Sequence, residues 1–267
     1  MSRVLPFRPE LPRPGLIETE TYAKIRFVLS DCHAHGRLAV IRTGVGLGKT
    51  RAAERYAGEH DCEVVHLTLG PASRSVTPGL TALHDATAQV WERALVRQHS
   101  RPSYLSYPFA IQALIERLCE DILNARGALL VIVDEAQYAR PDLLDAFRHL
   151  YDRHLFALVL CGNPRLFDPR RGRTEAADFG ALLSRAFHVL DAPAPTPGDV
   201  AAVAAAYGID GAEERGLLAR SAAAGGLREI VQVIEKAHAI AAGPRVTLRH
   251  LKAAAGSTGL SAFDRGR

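Results

Sequence analysis

Thr43-Gly44-Val45-Gly46-Leu47-Gly48-Lys49-Thr50 is the stretch that decides the fold. It follows an apolar run, Leu38-Ala39-Val40-Ile41, that reads as a buried strand. It precedes a helical pattern from Lys49 to Ala57, with Gly58 expected just past the helix end. A glycine-rich turn between a strand and a helix is suited to an anion. Glycine lets the backbone close around phosphate, and the N–H groups of the turn and of the helix N-terminus face the negative charge. On this reading Gly44, Val45, Gly46, Leu47 and Gly48 cradle the phosphates of a nucleotide, Lys49 reaches the β- and γ-phosphates, and Thr50 ligates Mg²⁺. The pattern G-x-x-x-x-G-K-[ST] places its first glycine where Thr43 stands; here glycine comes one residue later, at Gly44.

Working outward, strand and helix signals alternate. Val64-Val65-His66-Leu67 reads as a second strand. Ile111, Leu114, Ile115, Leu118 and Ile122 recur at helical spacing from about Pro108 to Ala125. Leu129 to Val133 is an unbroken apolar run, as expected of a central parallel strand covered on both faces. Leu143, Phe147 and Leu150 mark the next helix, with Pro141 in its first turn, and Leu155 to Cys161 is another buried strand. Before the first strand, Thr19 to about Ala34 is helical, and residues 1–18 with their prolines read as an extended arm. The alternation predicts an open α/β fold built on a parallel sheet.

The run after Leu129 ends in Asp134-Glu135-Ala136-Gln137, so a buried strand delivers two acids to its C-terminal edge, where ligands of parallel sheets bind. Asp134 is placed to hold Mg²⁺ through water, and Glu135 to orient and deprotonate an attacking water. Asn163, after Leu158-Val159-Leu160-Cys161-Gly162, stands where a polar group can sit between the γ-phosphate and that water.

At Ala192-Pro193-Ala194-Pro195-Thr196-Pro197 the composition changes, which sets a boundary between a nucleotide-binding domain over 19–192 and a helical domain over 193–267. Helices are expected over Asp199–Tyr207, Ala212–Ala224, Leu227–Ala241 and Thr247–Ala255, with Asp199 and Thr247 as N-caps.

Composition narrows the function classes. The chain has 267 residues, 48% hydrophobic and 23% charged, which argues against wholesale disorder. No run of about 18 apolar residues is present, so no transmembrane helix and no membrane partner is expected. The N-terminus lacks the apolar core of a secretory signal, and four scattered cysteines fit a reducing compartment, so the expected location is cytoplasmic. Cys32-His33-x-His35 lacks a second ligand pair, so a polar helix end is expected there rather than a metal site. Thirty-three basic against 29 acidic residues give a net charge of +4. That balance permits a nucleic-acid partner without requiring one. Arg93 and Arg97 share a helical face, Arg101 follows, and Arg170, Arg171 and Arg173 form a second cluster; both clusters are candidate contacts to DNA phosphates, with solvated faces as the alternative.

A phosphate-binding loop, Asp134-Glu135-Ala136-Gln137, Gly162-Asn163 after the next strand and a helical C-terminal region together resemble an AAA+ ATPase. The finer resemblance is to the transposon target-selection ATPases of the Mu phage transposition protein B type, through the same acidic motif, Tyr151-Asp152, Gly162-Asn163-Pro164 and the basic loop after it, over about Thr19 to Leu251. The resemblance implies a P-loop NTPase sheet with a small C-terminal helical lid domain. It places Arg185, in Leu183-Ser184-Arg185, as an arginine finger acting on a neighbouring subunit. It places Arg228, in Gly225-Gly226-Leu227-Arg228, as a second sensor reaching the γ-phosphate. It also implies ATP-dependent assembly into a ring or helical filament on duplex DNA, and a transposase partner. Two alternatives stay open: a protein-remodelling ATPase of the secretion-associated kind, and a helicase loader.

Overall fold

The computed structural model describes residues 14–98, 129–153, 156–164, 166, 180–241 and 245–257. The chain divides into two compact units. One comprises Tyr22–Gly44 and Gly48–Pro193; the other comprises the described residues among Met1–Thr21, Val45–Leu47 and Ala194–Arg267.

The first unit is built on five strands: β1 (Leu38–Thr43), β2 (Val64–Thr68), β3 (Leu130–Asp134), β4 (Ala157–Gly162) and β5 (Ala186–Ala192). They lie in the order β2-β3-β4-β1-β5, and every pairing is parallel. The phosphate-loop strand β1 and the acidic strand β3 are therefore not neighbours; β4 runs between them. The apolar runs explain the layering. Alternate residues of a strand face opposite ways, and in β1, β3 and β4 both faces are buried. Leu38, Val40, Val131, Val133, Leu158 and Leu160 pack with α3 (Val76–Gln98) and α4 (Pro141–Asp152) through Leu80, Leu83, Leu143 and Phe147. Ala39, Ile41, Leu130, Ile132, Val159 and Cys161 pack on the other face with α1 (Glu20–His35) and α2 (Lys49–Glu59) through Ile25, Leu29, Ala52 and Tyr56. Each such fully buried Leu, Ile or Phe contributes roughly 1.5–3 kcal/mol by leaving water.

In the second unit, α5 (Pro197–Ala206), α6 (Ala212–Ala241) and α7 (Leu248–Gly256) form a helical cluster around Val203, Leu218, Ile230, Val233, Ile234 and Leu251. α6 is broken at Gly226, whose φ of 71° and ψ of −167° a side chain would strain; this is why the sequence reads as two helices there.

Three expectations are corrected. Gly58 does not end α2: the helix continues to Glu59, and His60 caps it by donating its N–H to Tyr56 and Ala57 carbonyls. Asp199 is not the N-cap of α5. Thr196 is, with Pro197 in the first turn, and Asp199 is the third helical residue of a capping box, its carboxylate accepting from the Thr196 N–H while the Thr196 hydroxyl accepts from the Asp199 N–H. β4 begins at Ala157, with Phe156 outside the strand; Leu155, where the sequence pattern starts it, lies outside the described residues. The helix expected from about Pro108 to Ala125 lies outside the described residues. None of the described helices is long and apolar enough to cross a membrane.

Candidate nucleotide site

The phosphate loop leaves β1 at Thr43, which is fully buried, and the N–H of Gly44 donates to the Ala192 carbonyl at the end of β5 at 2.9 Å. A side chain at position 43 thus belongs to the strand, and the positions whose backbone calls for glycine come later in the loop. Gly46 and Gly48 both have positive φ, 75° and 89°, the region where glycine alone is unstrained. Gly48 is the N-cap of α2 and has no side chain to satisfy the helix's first N–H groups, so those donors point outward toward an anion. Lys49 opens the helix. It is buried, and its Nζ donates to the Thr43 carbonyl at 3.3 Å, so a cation is held at the mouth of the loop.

Thr50 is the next residue, and its Oγ1 donates to Oδ2 of Asp134 at 2.6 Å. The two residues are 84 positions apart in sequence. Asp134 is fully buried at the end of β3, and its other oxygen accepts the Glu135 N–H at 2.8 Å. A hydroxyl and a buried carboxylate beside a lysine and a helix N-terminus are hard oxygen donors of the kind Mg²⁺ takes with phosphate. The residue set therefore fits a nucleotide with its metal.

Glu135 follows in a left-handed conformation, φ 54° and ψ 34°, the only positive φ at a non-glycine residue among those described. This turns the chain sharply out of β3 into a single 3₁₀ turn, Ala136–Tyr138. Backbone strain of this sort at a non-glycine residue is retained where the surroundings enforce it. The Glu135 carboxylate accepts a hydrogen bond from the Gln137 side-chain amide. The Gln137 Oε1 in turn accepts the backbone N–H of Asn163 at 3.2 Å. Gln137 stands in the acidic motif of the sequence, only two positions past the acid, but the motif alone assigns it no role.

Arg185 sits between a helical turn and β5. Its Nε donates to Asp152 Oδ1 at 2.6 Å and its guanidinium also donates to the Ala181 carbonyl. Asp152 also accepts from Arg148 at 2.6 Å. The acidic residue of the Tyr151-Asp152 pair is thus what holds the arginine, a link with no signal in spacing. Arg228 lies in the helical unit, two residues past the break in α6. Arg93 and Arg97 are on α3; their side chains, and Arg101, Arg170, Arg171 and Arg173 entirely, fall outside the described residues.

The buried thiols near the sheet are unsuited to nucleophilic attack. Burial pushes the Cys32 thiol up to about 12 and drives Cys161 up as well. Burial lowers His66 on β2, against the pull of the Asp134 carboxylate.

Comparison with known proteins adds lineage to this geometry. Residues 33–168 match the family model described as AAA domain, and residues 184–257 match that of the Mu B transposition protein, C terminal. The ATP-dependent target DNA activator B of Escherichia phage Mu is 30% identical over 210 residues, which is 78% of this chain and 62% of that protein. The chain thus spans about three fifths of that relative's length. The Mu-like prophage FluMu DNA transposition protein B of Haemophilus influenzae is 26% identical over 222 residues, 82% of this chain and 71% of that protein. Among solved structures, the Aeropyrum pernix ORC1 protein in complex with DNA superposes with a TM-score of 0.58 at 17% identity, covering 90% of this chain and 65% of that one, a likeness of fold.

Proposed function

We propose a function from one premise, that the chain belongs to the AAA domain family and ends in a C-terminal domain of the Mu B transposition protein type: it is an ATP-hydrolysing, DNA-binding regulator of transposition that works as an oligomer. The observation that carries the ATPase reading is the 2.6 Å bond between Thr50 and Asp134, which unites the phosphate loop with the acidic strand. In this reading Gly44, Val45, Gly46, Leu47 and Gly48 bind the phosphates through backbone N–H groups, and Lys49 neutralises the terminal ones. Thr50 and Asp134 would hold Mg²⁺, Asp134 through water, and the ion would offset charge on the phosphates. Glu135 takes the proton of the attacking water, and Asn163 orients that water. Arg185 from a neighbouring subunit and Arg228 from the same chain add positive charge where it develops in the transition state.

The relatives' names carry the DNA and transposition part of the proposal: one is a target DNA activator, the other a DNA transposition protein. We assign nucleotide chemistry to residues 19–192 and its coupling to the helical residues 193–267. DNA would be held by backbone charge, with Arg93, Arg97, Arg101, Arg170, Arg171 and Arg173 as candidate contacts and little dependence on base sequence. ATP would favour a ring or filament that grips duplex DNA and presents it to a transposase, and hydrolysis would release it. Phosphate release from ATP by the purified protein, compared with Lys49→Ala, tests the ATPase reading. Turnover by wild type and none by the variant is expected; equal activity in both would reject the site.

A further inference from the structure

Gln137 joins the two groups to which hydrolysis is assigned. Its side-chain amide donates to the Glu135 carboxylate, and its Oε1 accepts the N–H of Asn163. The polarity admits only one orientation. An ionised carboxylate can only accept and a backbone N–H can only donate, so flipping the amide would set donor against donor and acceptor against acceptor. The side chain is half-buried, on a 3₁₀ turn whose entry is fixed by the left-handed Glu135. Room for it is left from the other side by Gly162, the last residue of β4: a Cβ there would stand 2.8 Å from the Gln137 Oε1 and 2.7 Å from a Leu166 methyl. The missing side chain at position 162 and the amide at 137 are thus one piece of packing, and it ties the end of β3 to the end of β4.

We propose that Gln137 is a positioning residue for hydrolysis, its amide clamping the Glu135 carboxylate to the chain at Asn163. The clamp holds the base against rotation about its side-chain bonds and couples it to the strand end that carries Asn163. This rests on the hydrolytic role of Glu135 proposed above. The side-chain hydrogen bonds of Gln137 go to Glu135 and Asn163 rather than to the phosphate loop, so its loss should change the rate of turnover rather than the affinity for ATP.

Three variants test this in the full chain, with ATP turnover measured, and ATP affinity measured separately by equilibrium dialysis. Gln137→Met keeps length and volume and removes both hydrogen bonds. It is expected to lower kcat roughly 10- to 100-fold, the usual cost of a catalytic group displaced by about an ångström, with ATP affinity within about twofold of wild type. Gln137→Glu keeps an acceptor for Asn163 but sets a second carboxylate against Glu135. Like charges repel, so kcat should fall at least as far as in Gln137→Met although the side chain keeps its length and shape, which a merely structural side chain would not cause. Gly162→Ala crowds the amide without removing a polar group and should lower kcat in the same direction, which guards against a folding defect peculiar to position 137. Wild-type kcat in Gln137→Met, or wild-type kcat in Gln137→Glu, would overturn the clamp. If instead the wild type itself fails to turn over ATP, or Glu135→Gln turns over normally, the hydrolytic reading falls and the clamp with it. The two failures are therefore distinguishable.

Discussion

Asp199 is fully buried, yet it carries a carboxylate, and its surroundings say what replacing it should cost. Its Oδ1 accepts the Thr21 N–H at 2.8 Å. Its Oδ2 accepts the Thr21 hydroxyl at 2.6 Å and the Thr196 N–H at 2.9 Å. All three partners donate. Asp199→Asn keeps the shape but offers one oxygen. That oxygen does best in the Oδ2 position, retaining two bonds, which leaves the new NH₂ facing the Thr21 N–H. One charge-assisted bond is lost and a buried donor goes unpaired, a cost of roughly 1–3 kcal/mol. Asp199→Ala removes all three bonds and half of the capping box, and should cost about 3–5 kcal/mol. Amide hydrogen exchange within α5 reads this locally. Protection at Val200, Val203 and Ala204 should fall roughly 5- to 150-fold in the Asn variant and further in the Ala variant. The pH dependence has a definite sign. Burial acts to raise the carboxyl, but the hydrogen bonds from Thr21 and Thr196 outweigh it and hold the group below its ordinary value. A depressed folded pKa stabilises above the ordinary Asp value of about 3.9 and is lost as pH falls through the lowered one. The advantage of wild type over Asp199→Asn should therefore be full at neutral pH and shrink below about pH 4. Unchanged exchange in Asp199→Asn at pH 7 would refute the reasoning.

Three further outcomes follow from the site and its surroundings. If Arg185 acts in trans, mixing Arg185→Ala with Lys49→Ala protein should restore part of the ATPase activity that each lacks alone; co-assembly without rescue would count against it. Removing Arg93 and Arg97 together should weaken binding to all duplexes alike and flatten the log–log salt dependence by about one unit per lost phosphate contact, leaving ATP binding by the subunit intact; an unchanged slope removes this face of α3 from the DNA surface. In native protein at pH 8, a thiol reagent followed by peptide mass spectrometry should label half-buried Cys62 before Cys32 and Cys161, whose thiols are buried and pushed upward; labelling of Cys161 first would contradict the packing of β4.

The central strands were readable because β1, β3 and β4 are buried on both faces. Leu38 to Ile41 and Leu129 to Val133 are continuous apolar runs, and such runs bounded by turn residues leave few alternatives. The phosphate loop was readable for a different reason: the need for glycine at Gly46 and Gly48 is set by the backbone angles themselves. α3 was not legible as a whole, since Pro78 and Gly79 look like breakers. Pro78 falls in its first turn, where proline is tolerated, and Gly79 is needed because a Cβ there would overlap Leu143 of α4. Gly58 misled in the opposite direction, because a glycine near a helix end signals a stop only if it takes a positive φ, which Gly58 does not. The strand order, with β4 between β1 and β3, and the bonds of Gln137 and Asp152 depend on tertiary placement, which no local pattern encodes.

In the proposed function, ATP controls a grip on DNA. Fluorescence anisotropy of a labelled duplex, titrated with the purified chain with and without ATP and Mg²⁺ over a range of salt, measures this directly. The prediction is binding that requires ATP, falls steeply with salt, varies little between duplex sequences and disappears in Lys49→Ala. No binding with ATP even at low salt, or binding that Lys49→Ala retains in full, would contradict it and favour a nucleotide-driven protein remodeller instead.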